Sequence, residues 1–198
     1  MRLVYEALQH ELDFENTQVH IVVLENPGFM RDFIGTFIKQ TNGEVGGFVL
    51  SEKSKELVIS KNVSVVIDYF SLSLNDRKVI AKLYDNLTNT ANDEDMYLLT
   101  NELQGKITAY IGDLLYKVDL PLTYSEEYKL SDLFKMMDVR FDENDTTLLE
   151  RVSAYIDLCN NFLKLKLLVF VNLRSYLSDK ELEELYNQVR YYNIKLLL

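Results

Sequence analysis

The stretch KLKLLVFVNLRSYLSDKELEELY, residues 164–186, decides the fold. Its run KLLVFVN, residues 166–172, is apolar throughout LLVFV, with β-branched and aromatic side chains. That pattern describes a strand buried on both faces, as in a parallel sheet covered by helices. Asn172 ends the run. Ser178 followed by Glu181 forms a capping box, which predicts a helix over 179–192. The closing NIKLLL, residues 193–198, reads as a further strand.

Working outward, TQVHIVVLEN (17–26) predicts another buried strand. PGFMRDFIGTFIKQ follows it, with Phe29, Phe33 and Phe37 in one i, i+4 row and Met30, Ile34 and Ile38 in a second. This is an amphipathic helix with Pro27 at its start. FVLSEKSKELVIS predicts a hairpin turning around residues 51–55, and VSVVID (63–68) a strand. From 74 to 163 the periodicity is almost wholly helical, ending in a helix for which Asp145 is the expected cap. The expected class is α/β. A largely parallel sheet forms a head from residues 1–73 and 164–198, and residues 74–163 form an inserted all-helical leg.

The chain has 198 residues, 47% of them hydrophobic and 26% charged, which is globular composition. One cysteine, Cys159, excludes an internal disulfide and suits a reducing cytoplasm. The opening MRLVYEALQHELDFEN has no signal-peptide pattern, and the sequence contains no membrane-length apolar run. Net charge is −10, which by itself speaks against nucleic acid. The charge is segregated, however. Residues 85–150 carry five Lys and Arg against fifteen Asp and Glu, a deficit equal to the whole net charge. The rest is near neutral and can present a basic face.

A strand order of this kind raises the question of nucleotide hydrolysis. A phosphate loop needs G-x-x-x-x-G-K-[ST] after the first strand, because backbone N–H groups and the lysine cradle the phosphates. Here LENPGFMRDF offers one glycine, Gly28, and no Gly-Lys-Ser/Thr. LLVFVN also lacks an acid that would hold magnesium, so Asn172 reads as a turn former at a strand end. One cysteine with His10 and His20 cannot complete a zinc site, and no G-x-S-x-G elbow is present. The acidic runs NDEDMY, KVDLPLTYSEEY and DENDTTLLE lack the spacing of a calcium-binding EF-hand and read as solvated faces and helix caps. Two groups of cations stand out. Lys53, Lys55, Lys61, Arg77, Lys78 and Lys82 lie near the join of the lobes, and Lys164, Lys166 and Arg174 flank the late strand. Ordinary surface charge accounts for such residues; the functional alternative is a surface that tracks phosphates.

LKLLVFVNLRSYLSDKELEELY resembles a signature of the small CRISPR-associated adaptation proteins of type II-A loci, the Csn-two family. VHIVVLENPGFMRDFIGTFIKQ, VIDYFSLSLNDRKVIAKLYDNL, ITAYIGDLL and LSDLFKMMDVRFD support it in the family's order, so the resemblance spans residues 14–198. It implies a head like a degenerate P-loop ATPase with an inserted helical leg. It implies a homotetrameric ring with a basic hole that binds double-stranded DNA ends without sequence preference. It also implies bound calcium, no nucleotide and no catalysis. The role implied is spacer acquisition in antiviral defence, alongside the CRISPR integrase and the effector nuclease, in the bacterial cytoplasm. On this reading Lys53, Lys55, Lys61, Arg77, Lys78, Lys82, Lys164 and Arg174 contact DNA, and Asp119, Glu126 and Glu127 are the metal candidates. Two departures exist. PLTY separates Asp119 from Glu126, and the family continues beyond the strand that closes this sequence. The competing reading is a protein-interaction scaffold of the adaptation complex with no DNA contact, suited to the acidic lobe and the 13 tyrosines.

Overall fold

The computed structural model of the protein describes residues 1–8, 10–143 and 147–198. Two compact units emerge: Met1–Leu74 with Glu143–Leu198, and Asn75–Asp142.

The first unit holds two four-stranded sheets. One is antiparallel, built from β1 (Arg2–Tyr5), β2 (Leu12–Asp13), β4 (Phe48–Glu52) and β5 (Lys55–Leu57) in the order β2-β1-β4-β5. The other is parallel throughout: β3 (Val19–His20), β6 (Val63–Val66), β7 (Leu167–Phe170) and β8 (Lys195–Leu197) in the order β3-β8-β7-β6. Strand β7 is central and all four of its residues are buried, as its unbroken apolar run requires.

Between β3 and β4 runs α1 (Pro27–Thr41), opened by Asn26, whose side chain accepts from the N–H groups of Gly28 and Phe29. Its row of phenylalanines turns inward. Phe33 and Phe37 are buried, Phe37 stacks on Phe48, and Phe33 meets Tyr5 and Phe48 edge-on. Leu3, Leu50, Ile59, Val63, Leu167, Val169 and Leu197 complete this core, which joins both sheets to α1. The alternate strand residues Leu168, Phe170 and Leu196 are fully buried too and face the opposite side. There α6 (Leu148–Asp157) bonds to β6 through the Tyr155 and Ser64 hydroxyls, and α7 (Asp179–Val189) packs on α6.

Helix α6 ends in a π-helical turn, Leu158–Leu163, and α7 follows a 3₁₀ turn, Leu173–Ser175. The capping box read from Ser178 and Glu181 is present at α7. At α6 the cap is Thr147 in a second capping box with Glu150; Asp145, the cap expected from the sequence, lies outside the described residues.

The second unit contains α3 (Arg77–Ala91), α4 (Tyr97–Tyr116) and α5 (Leu130–Met136). Asp76 caps α3, Thr100 bonds back to the carbonyl of Ala91, and Tyr84 packs on Phe134. Asn75 and Phe141 exchange two hydrogen bonds, so the ends of this unit clasp each other.

Three expectations change. The head contains a second, antiparallel sheet, because RLVY at the N-terminus pairs with β4 of the hairpin on one side and with LD on the other. The strand read over 17–26 makes a ladder only at Val19–His20, extended by one bond from Val22 to Leu198. Pairing, more than hydrophobicity, sets a strand's length, and its partner β8 is three residues long. Finally α6, read as the end of the helical insertion, packs within the first unit, as Tyr155–Ser64 and the Tyr192–Asp157 bond show.

Candidate nucleic-acid interface

In open parallel sheets, ligands usually sit at the carboxyl ends of the strands. Here that end holds a groove of about 250 Å³ lined by Val22, Leu24, Ile34, Phe170 and Leu197, with Asn172 and Arg174 as its main polar groups. Among the described residues, no acidic side chain lines it. The N-terminus of α1, where a phosphate loop would lie, is already satisfied by Asn26. Asn172 adopts the left-handed conformation, φ 59°, and starts the 3₁₀ turn, the conduct of a turn former at a strand end. Arg174 is exposed on that turn.

The amino ends of the same strands differ sharply. The hairpin between β4 and β5 turns through Lys53 and Ser54, both left-handed at φ 49° and 62°. That geometry matches the twist of a two-residue hairpin loop and turns Lys53 outward, with Lys55 beginning β5. Lys61 lies exposed in the last turn of α2 (Ile59–Asn62). The π-helical turn ends at Lys164, also left-handed at φ 60° and exposed. The chain then swings into β7, where the N–H of Lys166 donates to Asn62 O. The N–H of Lys195 in turn donates to Lys166 O. Lys166 Nζ reaches across to Glu52 Oε2, 3.2 Å away, tying the parallel sheet to the hairpin.

Five of the cations singled out from sequence, Lys53, Lys55, Lys61, Lys164 and Lys166, therefore gather at one end of the parallel sheet, together with Lys195. The acids beside them are Glu52 and Glu56, with Asp13 and Glu15 on the cleft that Lys53 and Lys195 line. Lys195 was not foreseen; its only sequence signal is its place at the start of β8. Its Nζ donates to Thr17 O, and burial lowers its pKa from the ordinary lysine value, with nearby Glu52 pulling the other way.

Arg174 sits at the opposite, carboxyl end. Arg77, Lys78 and Lys82 belong to the helical unit, on the first turns of α3. Cations at a helix N-terminus oppose the helix dipole. Helix stability does not explain Arg77 and Lys78.

The acidic candidates separate into structural roles and open surface. Asp93 accepts from the N–H of Met96, Glu143 from the Ser73 hydroxyl and the Leu74 N–H, and Glu150 completes the α6 capping box. Asp119, Glu126 and Glu127 are exposed on the irregular segment between α4 and α5. Among the described residues, no three His, Cys, Asp or Glu side chains converge on a metal-sized point. As placed, these three acids do not fit a calcium ion within one chain. No described helix is long and apolar enough to cross a membrane.

Helix α4 carries a different kind of surface. Leu99, Leu103, Tyr110 and Leu114 follow one another at helical spacing, and all are exposed, Tyr110 by 65%. Such a stripe is uncommon on a face that meets only water.

Residues 40–198 match the model of the family described as CRISPR-associated protein (Cas_Csn2). Two relatives are named CRISPR-associated protein Csn2. One, from Enterococcus faecalis, is 24% identical over 134 residues, covering 67% of this chain and 61% of that protein. The other, from Streptococcus agalactiae, is 25% identical over 138 residues, covering 69% and 62%. The matched stretch thus spans about three fifths of each relative. With its parallel strands, its helices and most of its length matched by one family model, the chain belongs to the Csn2 family of CRISPR-associated proteins.

Proposed function

We propose that this protein binds double-stranded DNA through its phosphates, as a non-catalytic component of CRISPR spacer acquisition. The observation that carries this reading is the gathering of Lys53, Lys55, Lys61, Lys164, Lys166 and Lys195 from four chain segments onto one end of the parallel sheet. Lysines on short backbone turns make point-charge contacts to phosphates and carry no base readout, so binding is insensitive to sequence and sensitive to salt. An acidic protein can hold DNA this way when its positive charge is concentrated and its negative charge faces elsewhere. The groove at the carboxyl end, apolar and without an acid, suits a head of P-loop-ATPase ancestry that no longer handles nucleotide.

The same reading takes the active form to be a homotetrameric ring, with the exposed stripe of α4 covered by a second copy and the lysines turned to a central hole. A closed ring is threaded only from a free DNA end. It works beside the integrase and the effector nuclease, and Arg77, Lys78, Lys82 and Arg174 are secondary contacts. The test is a gel shift with linear and covalently closed circular DNA of one sequence, with and without calcium. Retention of the linear form alone is expected, and equal retention of both rules out threading.

A scaffold without DNA contact is the second reading, favoured by the exposed α4 stripe. It predicts an assembled protein that retains neither DNA form.

A further inference from the structure

The lysine end of the parallel sheet contains one carboxylate in a telling position. Glu52 closes β4, and its Oε2 lies 3.2 Å from Lys166 Nζ. Both side chains are about one third exposed, 36% and 34%, so neither is sealed from solvent. Glu52 also lines a polar cleft of about 630 Å³ with Ser51, Lys53, Ser54 and Lys195. Of the acids on that cleft, Asp13 bridges Arg2, while Glu15 has no cation partner among the ion pairs of the described residues. Among the described residues, Glu52 alone pairs the hairpin with a lysine of the parallel sheet in an ion pair.

We propose that Glu52 is an internal stand-in for a DNA phosphate, holding Lys166 neutralised until the duplex displaces it. This rests on the DNA-binding reading above and adds a competitor to it. The chemistry of the exchange is simple. A carboxylate and a phosphate oxygen accept the same charge-assisted hydrogen bond from an ammonium group. A partly exposed ion pair of this kind contributes only about 0–1 kcal/mol, so a phosphate can replace the carboxylate at little cost. The exchange then leaves Glu52 facing the incoming anion, which weakens binding. The pair therefore lowers affinity for any polyanion too short or too weakly held to displace it.

Removing the competitor should tighten binding. Glu52→Gln keeps the shape and lets Lys166 add one phosphate contact. Duplex affinity should rise about threefold to tenfold at 100 mM salt, and the plot of log affinity against log salt should steepen by about 0.9. In the Glu52→Gln background, Lys166→Ala should cancel the gain. Glu56→Gln, which removes an exposed acid from the neighbouring strand, controls for general charge and should not change the slope. Matching thermal melts verify that each variant folds. If the wild type binds duplex and Glu52→Gln leaves affinity and slope unchanged, or Glu56→Gln steepens the slope equally, this inference is overturned and the DNA-binding reading stands. If the wild type binds no duplex, both fall.

Discussion

Replacing Lys53, Lys55, Lys61 and Lys164 together by glutamate should abolish duplex binding while leaving the fold and the assembly intact. All four are exposed, and none belongs to the phenylalanine core between the sheets and α1. Each lysine that contacts a phosphate contributes about 0.9 to the salt slope, so four removed contacts flatten it by roughly 3–4. At 50 mM salt the loss of attraction plus the new repulsion should weaken binding by about a thousandfold or more. Fluorescence anisotropy with a labelled duplex measures this directly. The charge reversal Arg174→Glu, at the opposite end of the sheet, should cost far less. Equal losses from the two ends would place the interface elsewhere.

The second large effect belongs to α4. Leu103→Glu combined with Leu99→Glu should dissociate the assembly, because each leucine buried in a contact between copies contributes about 2 kcal/mol. That corresponds to about 30-fold per residue in the dissociation constant and roughly a thousandfold for the pair. Leu99 and Leu103 are exposed in the single chain, at 59% and 43%, so their loss does not empty a core. Light-scattering mass across a concentration series is the readout. A drop to monomer mass is expected; an unchanged mass would remove α4 from the interface. DNA retention should fall with the mass, since a ring that does not close cannot encircle a duplex.

Much of this architecture is written in local pattern. The buried strand β7 follows from LLVF, α7 from Ser178 and Glu181, α1 from its phenylalanine row, and the hairpin from two β-rich runs around residues 51–55. What escaped the sequence is long-range. β1 and β2 are four and two residues long, and only the pairing of β2 with β1 and of β1 with β4 makes them a sheet. Helix α6 shows the same amphipathic pattern whether it packs on a leg or on a head; the Tyr155–Ser64 bond that decides the matter joins residues 91 apart. The site was legible in the same partial way. Exposed lysines could be named, but Lys195 joins Lys53, Lys61 and Lys164 only because parallel pairing aligns the amino ends of β6, β7 and β8. Arg174, two residues past the end of β7's apolar run, is carried by that same parallel geometry to the far side.

The measurement that bears most directly on the central claim is the affinity of the wild-type protein for two unrelated duplexes of equal length, titrated between about 50 and 200 mM salt. Binding through the six lysines, with Lys166 offset by Glu52, predicts one shared slope for both sequences, near −4.5 for about five net contacts at about 0.9 each. A slope near zero, or affinities that differ by sequence, would contradict it.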